Sequence, residues 1–106
     1  MPYFYEWETV DLIITLDEED ALVDYSDVIV SLNQWGFRSI NKDASELDID
    51  VNSNTIILHL SQRESGRFRE GEALLQVNIY YDDAERDTSE MASIEVRNNL
   101  YKEVMG

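Results

Sequence analysis

His59 is the only histidine in this 106-residue sequence, and the only side chain whose ordinary titration lies near neutrality. It sits in Ile56-Ile57-Leu58-His59-Leu60-Ser61, on the phase of an alternating segment that points away from the core. A hydrolytic triad needs a nucleophile, a base and a group that orients the base. No Ser and Asp fall at a spacing that would align them with His59, so it reads as a surface histidine. Carboxylates are the opposite case. With 23 Asp and Glu, a glycosidase-like pair can be drawn almost anywhere, and no pair stands out. Asp48-Ile49-Asp50-Val51-Asn52 begins like a calcium loop. The pattern then fails, with Ser53 where the turn needs Gly and His59 where a bidentate Glu should close the site. There is no cysteine, which excludes disulfides, thiolate nucleophiles and zinc–thiolate centres. These residues predict no enzyme, no metal site and no cofactor.

The elements that would carry such groups follow a period of two. Val10, Leu12, Ile14 and Leu16 alternate with Asp11, Ile13 and Thr15, and Val28, Val30 and Leu32 alternate with Ile29, Ser31 and Asn33. Further segments repeat the pattern over Leu47–Val51, Ile56–Leu60, Leu75–Tyr81 and Ala92–Val96, and Gly36 to Ile40 adds a short strand opposite Val28–Gln34. Alternation of this kind describes antiparallel strands with one wet face. Turn residues separate them at Asp17–Asp20, Trp35-Gly36, Asn52-Ser53-Asn54 and Asp82–Arg86. Ser61-Gln62-Arg63-Glu64 has the spacing of a capping box and predicts one short helical turn. The expected fold is all-β: an immunoglobulin-like antiparallel β-sandwich of about seven strands. Without a disulfide its core would lean on aromatics, for which Trp7, Trp35, Phe37, Phe68, Tyr80 and Tyr81 are the candidates.

Residues 1–106 suit a single domain, with 1–7 as an N-terminal arm and 98–106 as a C-terminal tail. The balance of 23 acids against 8 bases gives a net charge of -15. Such a charge repels polyanions and anionic lipid, so neither nucleic acid nor membrane is an expected partner. The apolar runs are too short to span a bilayer, and the first residues lack the basic and apolar regions of a Sec leader. The expected location is the cytoplasm of a bacterial host, or a virion assembled there.

Ile13, Ile29, Ile57, Leu74 and Tyr80 occupy the outward phase and are candidate interaction residues, with Trp7 from the arm beside them. They would form a docking patch for a protein partner, or a second small core beneath a loop or the arm. Pro2 to Trp7 would cover the sheet of its own chain or reach a neighbour.

Several strings carry a family likeness. They are Asp27-Val28-Ile29-Val30-Ser31-Leu32-Asn33-Gln34, and Asn54 to Leu60 followed by Ser61-Gln62-Arg63-Glu64-Ser65. Phe68, Gly71, Gln76-Val77-Asn78-Ile79, Ser89-Glu90, Ile94-Glu95-Val96 and the tail from Leu100 follow in order. In these the chain resembles small immunoglobulin-like β-sandwich proteins encoded in phages and prophages of Gram-positive bacteria, similar to the N-terminal modules of phage baseplate proteins. It departs from them in carrying Asn78 where the family has an Arg. The resemblance implies a non-enzymatic phage structural or assembly protein of the tail, neck or baseplate region. Its partners would be other phage structural proteins or further copies of itself. The competing expectation comes from charge alone: an acidic DNA mimic that occupies the groove of a host defence or regulatory protein.

Overall fold

Because side chains alternate across a pleated strand, each segment with an apolar residue at every second position can bury one face only by packing against another sheet. That is how the chain folds. The protein's structure, a computed structural model, describes residues 2–17, 21–82, 85–89 and 91–102. Its strands are β1 (Tyr3–Tyr5), β2 (Val10–Thr15), β3 (Tyr25–Gln34), β4 (Arg38–Asp43), β5 (Asp48–Asp50), β6 (Thr55–Leu60), β7 (Gly71–Tyr81), β8 (Arg86–Thr88) and β9 (Ala92–Arg97). A 3₁₀ turn, Ala44–Glu46, follows β4, and one turn of helix, α1 (Gln62–Ser65), follows β6.

Two sheets form. The smaller has the order β2-β6-β5, with Leu12 opposite Leu58 and Ile49 opposite Ile56. The larger has the order β1-β9-β7-β3-β4, with β8 pairing the far half of β7 beyond β9. All the pairings are antiparallel except that of β1 with β9. The core lies between the sheets. Leu12, Ile56, Leu58 and Leu60 face Val28, Val30, Leu32, Leu75, Val77 and Ile79, all buried. Each such side chain removed from water contributes roughly 1.5–3 kcal/mol before chain entropy is counted.

The seven strands expected from the alternation are present, and the three-residue strands β1 and β8 join them. The capping box also forms. The Ser61 hydroxyl accepts from the Glu64 amide at 3.1 Å, and a Glu64 carboxylate oxygen accepts from the Ser61 amide at 2.9 Å. Of the two roles open to Pro2–Trp7, the chain uses the one on its own sheet: Tyr3–Tyr5 pairs with β9, and Phe4 is buried.

The expected aromatic core is corrected. Phe68 is fully buried and meets Phe4 edge-on, with ring centroids 6.0 Å apart. Trp35 and Phe37, however, are 55% and 70% exposed. They stand in the three-residue loop between β3 and β4, where Trp35 and Gly36 both adopt positive φ and the chain reverses outside the sandwich. Trp7 and Tyr80 are half-buried, and Tyr81 packs on the core edge while its hydroxyl donates to the Ala21 carbonyl at 2.6 Å. Aliphatic side chains supply most of the remaining core. Asp17 ends the described part of the Asp17–Asp20 run. The centre of the Asp82–Arg86 loop, Glu90 and the end of the C-terminal tail lie outside the described residues.

Candidate interaction surfaces

His59 is not a solitary surface side chain. Strand pairing sets Asp11 of β2 directly opposite it, and Asp48 of β5 approaches from the other side. Nδ1 lies 2.5 Å from Asp11 Oδ1, and Nε2 lies 2.6 Å from Asp48 Oδ2. Ionised carboxylates only accept hydrogen bonds, so two of them facing the two ring nitrogens favour the doubly protonated imidazolium. The hydrogen bond to Asp11, then that to Asp48, raises its pKa above the ordinary value. This clamp ties all three strands of the smaller sheet on their wet face. It leaves neither ring nitrogen for a nucleophile or a metal ion. Asp50, the second acid of the calcium-like string, instead accepts from the Asn52 and Ser53 amides and shapes the turn. Among the described residues, no group of three or more His, Asp and Glu side chains is arranged to hold a metal.

The six interaction candidates do not form one patch. Ile13 is 71% exposed and sits opposite half-buried Ile57 on the wet face of the smaller sheet. Ile29 and Tyr80 are half-buried on the outer face of the larger sheet, among Ser31, Gln76 and Asn78. Leu74 lies on that face too, but at the opposite end of β7 from Tyr80. The Trp7 indole lies against Gly66, so close that a Cβ there would stand 2.5 Å from its ring atoms. Trp7 is therefore bound into its own chain. An apolar groove of about 530 Å³ runs beside β2, whose outer edge pairs with no strand among the described residues, with Ile13, Ile14, Leu75 and Ile94 in its walls.

The ends of the long β3–β7 pair differ most sharply. At the end where β3 turns into β4, the Trp35 and Phe37 rings lie 6.2 Å apart. The Arg38 guanidinium carbon sits 5.5 Å and 5.3 Å from their centroids. Arg67 and Arg69 are exposed beside them, in the segment that leads from α1 into β7. Gln34 holds this end together. Its side-chain nitrogen donates to the Arg69 carbonyl at 2.6 Å, and its oxygen accepts from the Arg69 amide at 2.8 Å. Arg38 also donates from Nη1 to the Arg67 carbonyl at 3.0 Å. None of the three arginines pairs with a carboxylate among the described residues, and Arg38 Nε has no hydrogen-bond partner there. Leu74, opposite Asn33 of β3, is near the same tip.

At the other end of the same strands is an open depression of about 730 Å³, lined by Val23, Asp24, Tyr25, Tyr81, Asp82 and Glu85. Val23 is 57% exposed, and Asp24, Asp82 and Glu85 are all exposed. The sequence reading missed both ends. The Arg67-Phe68-Arg69 string was a visible signal, but only the fold brings it to Trp35, Phe37 and Arg38. Comparison with protein-family models and with curated proteins finds no match to this chain, so its functional reading rests on these surfaces.

Proposed function

We propose that this protein is a non-enzymatic assembly component that acts by docking on other proteins. The resemblance to small immunoglobulin-like phage and prophage proteins gives the setting of that reading: the tail, neck or baseplate region of a virion. The observation that carries the docking is the exposed Trp35–Phe37 pair with Arg38 across both rings. Trp and Arg are enriched among the residues that anchor protein interfaces: Trp buries a large rigid area, and the planar Arg guanidinium stacks on rings while its five N–H groups donate in a fixed fork. Two large rings held in water by a tight hairpin gain nothing for the monomer's own core.

Capture from prophage-induced lysate tests the reading, with the full chain as bait at low and high salt and with added duplex DNA. Tail, neck or baseplate proteins should be retained in all conditions and lost with a Trp35→Ala/Phe37→Ala bait. Apolar contacts are hardly screened by salt, whereas attraction between exposed charges weakens beyond a Debye length of ~8 Å at physiological ionic strength. Recovery of only a nuclease or repressor, released by salt or by DNA, would replace docking with DNA mimicry.

A further inference from the structure

We infer that copies of this chain associate head to tail, the Trp35–Phe37–arginine end of one entering the acidic depression at the opposite end of the next. The inference deepens the docking reading above by naming a second copy as one occupant of the hairpin tip. It starts from the registers of β3 and β7. Gln34 and Gly71 lie at one end of the strand pair, and Tyr25 and Tyr81, which are paired, lie at the other. Nine residue steps of extended chain separate Tyr25 from Gln34, roughly 30 Å. The molecule measures 46 by 27 by 22 Å along its principal axes, and the two ends of this strand pair, its poles, are well separated.

The poles are complementary in charge and in kind. One presents two exposed rings with Arg38 across them, and Arg67 and Arg69 follow in the adjoining segment, where the Arg69 Nη1 donates to the Gly66 and Phe68 carbonyls and exposed Glu70 comes next in the chain. The other presents Asp24 and Asp82 around exposed Val23 and the edge of Tyr25, with Glu85 already engaged and exposed Arg86 next to it. Rings and Val23 can share apolar area while the arginines meet carboxylates at the rim, the arrangement expected of a specific interface. At physiological ionic strength, charges act over ~8 Å, so contact between poles is governed by the poles and not by the net charge of -15. A two-fold dimer through either pole would set arginines against arginines or acids against acids. The favoured contact is therefore heterologous, and because its two surfaces lie at opposite ends it propagates into a stack or a ring.

Sedimentation velocity on the purified chain, in physiological salt up to ~1 mM, reads the association directly. Two variants divide the interface. Phe37→Glu/Arg67→Glu spoils the arginine pole, and Asp24→Asn/Asp82→Asn spoils the acidic one, with Asn keeping the positive φ of residue 24. Circular dichroism melts check that both fold. The wild type should form species that grow with concentration, and each variant alone should associate at least ~10-fold more weakly. A mixture of the two variants keeps one intact interface and should give a 1:1 dimer that grows no further. A wild-type chain that stays monomeric throughout overturns the inference, and so do variants that associate as well as the wild type or a mixture that stays monomeric. Capture of tail or baseplate proteins would still be judged separately by the lysate experiment, so the two readings fail independently.

Discussion

Replacing Gln34 tests how the arginine end is built. The residue continues the buried phase of Val28, Val30 and Leu32, and it is 1% exposed, although its side chain is polar. Its amide copies a strand pairing, giving one donor and one acceptor to the backbone of Arg69. Gln34→Leu keeps most of the volume and removes both hydrogen bonds. Losing two such bonds, with the Arg69 amide and carbonyl left to find water, costs about 2–4 kcal/mol. The buried leucine returns part of this, so the expected net loss is about 1–3 kcal/mol. Gln34→Ala lacks that offset and leaves a cavity, which raises the loss to about 3–5 kcal/mol. Urea denaturation reads these values. With a slope of ~1–3 kcal/mol per molar, a loss of ~2 kcal/mol moves the midpoint by about 1 M. Hydrogen exchange should show the Arg69 amide losing protection in Gln34→Leu before the strand amides do. A Gln34→Leu protein as stable as the wild type, with Arg69 still protected, would refute the clamp.

Leu58→Ala should cost about 2–5 kcal/mol because Leu58 is fully buried, while half-buried Ile57→Ala should cost clearly less; equal losses on denaturation would place the β6 register wrong by one residue. Gly66→Ala should destabilise by about 1–3 kcal/mol because the new methyl would meet the Trp7 ring, and a rise in melting temperature would show that Trp7 does not pack there. The His59 clamp carries a sign in pH. Its folded pKa is raised, so its stabilisation is complete below the unfolded value of about 6.5 and fades as pH rises through the folded one. Melting curves of the wild type and His59→Gln should differ most at about pH 5.5 and converge by about pH 9, the gap being about 1 kcal/mol or less for two exposed pairs. A gap that widens with pH would mean that the ring is held neutral.

The alternation of apolar residues is a local property, and it predicted β2, β3, β6 and β7 with the correct buried faces. The short helical turn was legible for the same reason, since Ser61 and Glu64 are three residues apart. The surfaces were not legible, because their residues meet only through strand pairing. Asp11 and His59 are 48 residues apart in sequence and adjacent in the sheet. Large aromatics are ordinarily read as core because they bury the most area. At Trp35 and Phe37 the turn decided instead: with positive φ at residues 35 and 36, the rings leave the sandwich before size can draw them in. Gln34 had a signal that was passed over, a polar residue on the buried phase of its strand. Glu6, in the turn after β1, is also a buried polar residue, 2% exposed and reached by Lys102 at 3.2 Å.

The basic residues make the last argument, because they are few and their positions are uneven. Lys42, Arg97 and Lys102 each lie against a carboxylate, at Glu64, Glu95 and Glu6. If the remaining cations served only to moderate an acidic surface, the lowest-energy arrangement would scatter them among its many carboxylates. Of the five others, Arg63 stands in α1 and Arg86 in β8, whereas Arg38, Arg67 and Arg69 lie at one end, Arg38 over two exposed rings, without a carboxylate partner among the described residues. Holding three like charges together costs free energy in the monomer. Gln34 fixes the Arg69 backbone with two hydrogen bonds, and Arg38 donates one to the Arg67 carbonyl, so the segment that bears these arginines is anchored at this end. A carboxylate-lined surface offsets that cost when it closes on them, and the depression at the far end of the same strands has that chemistry.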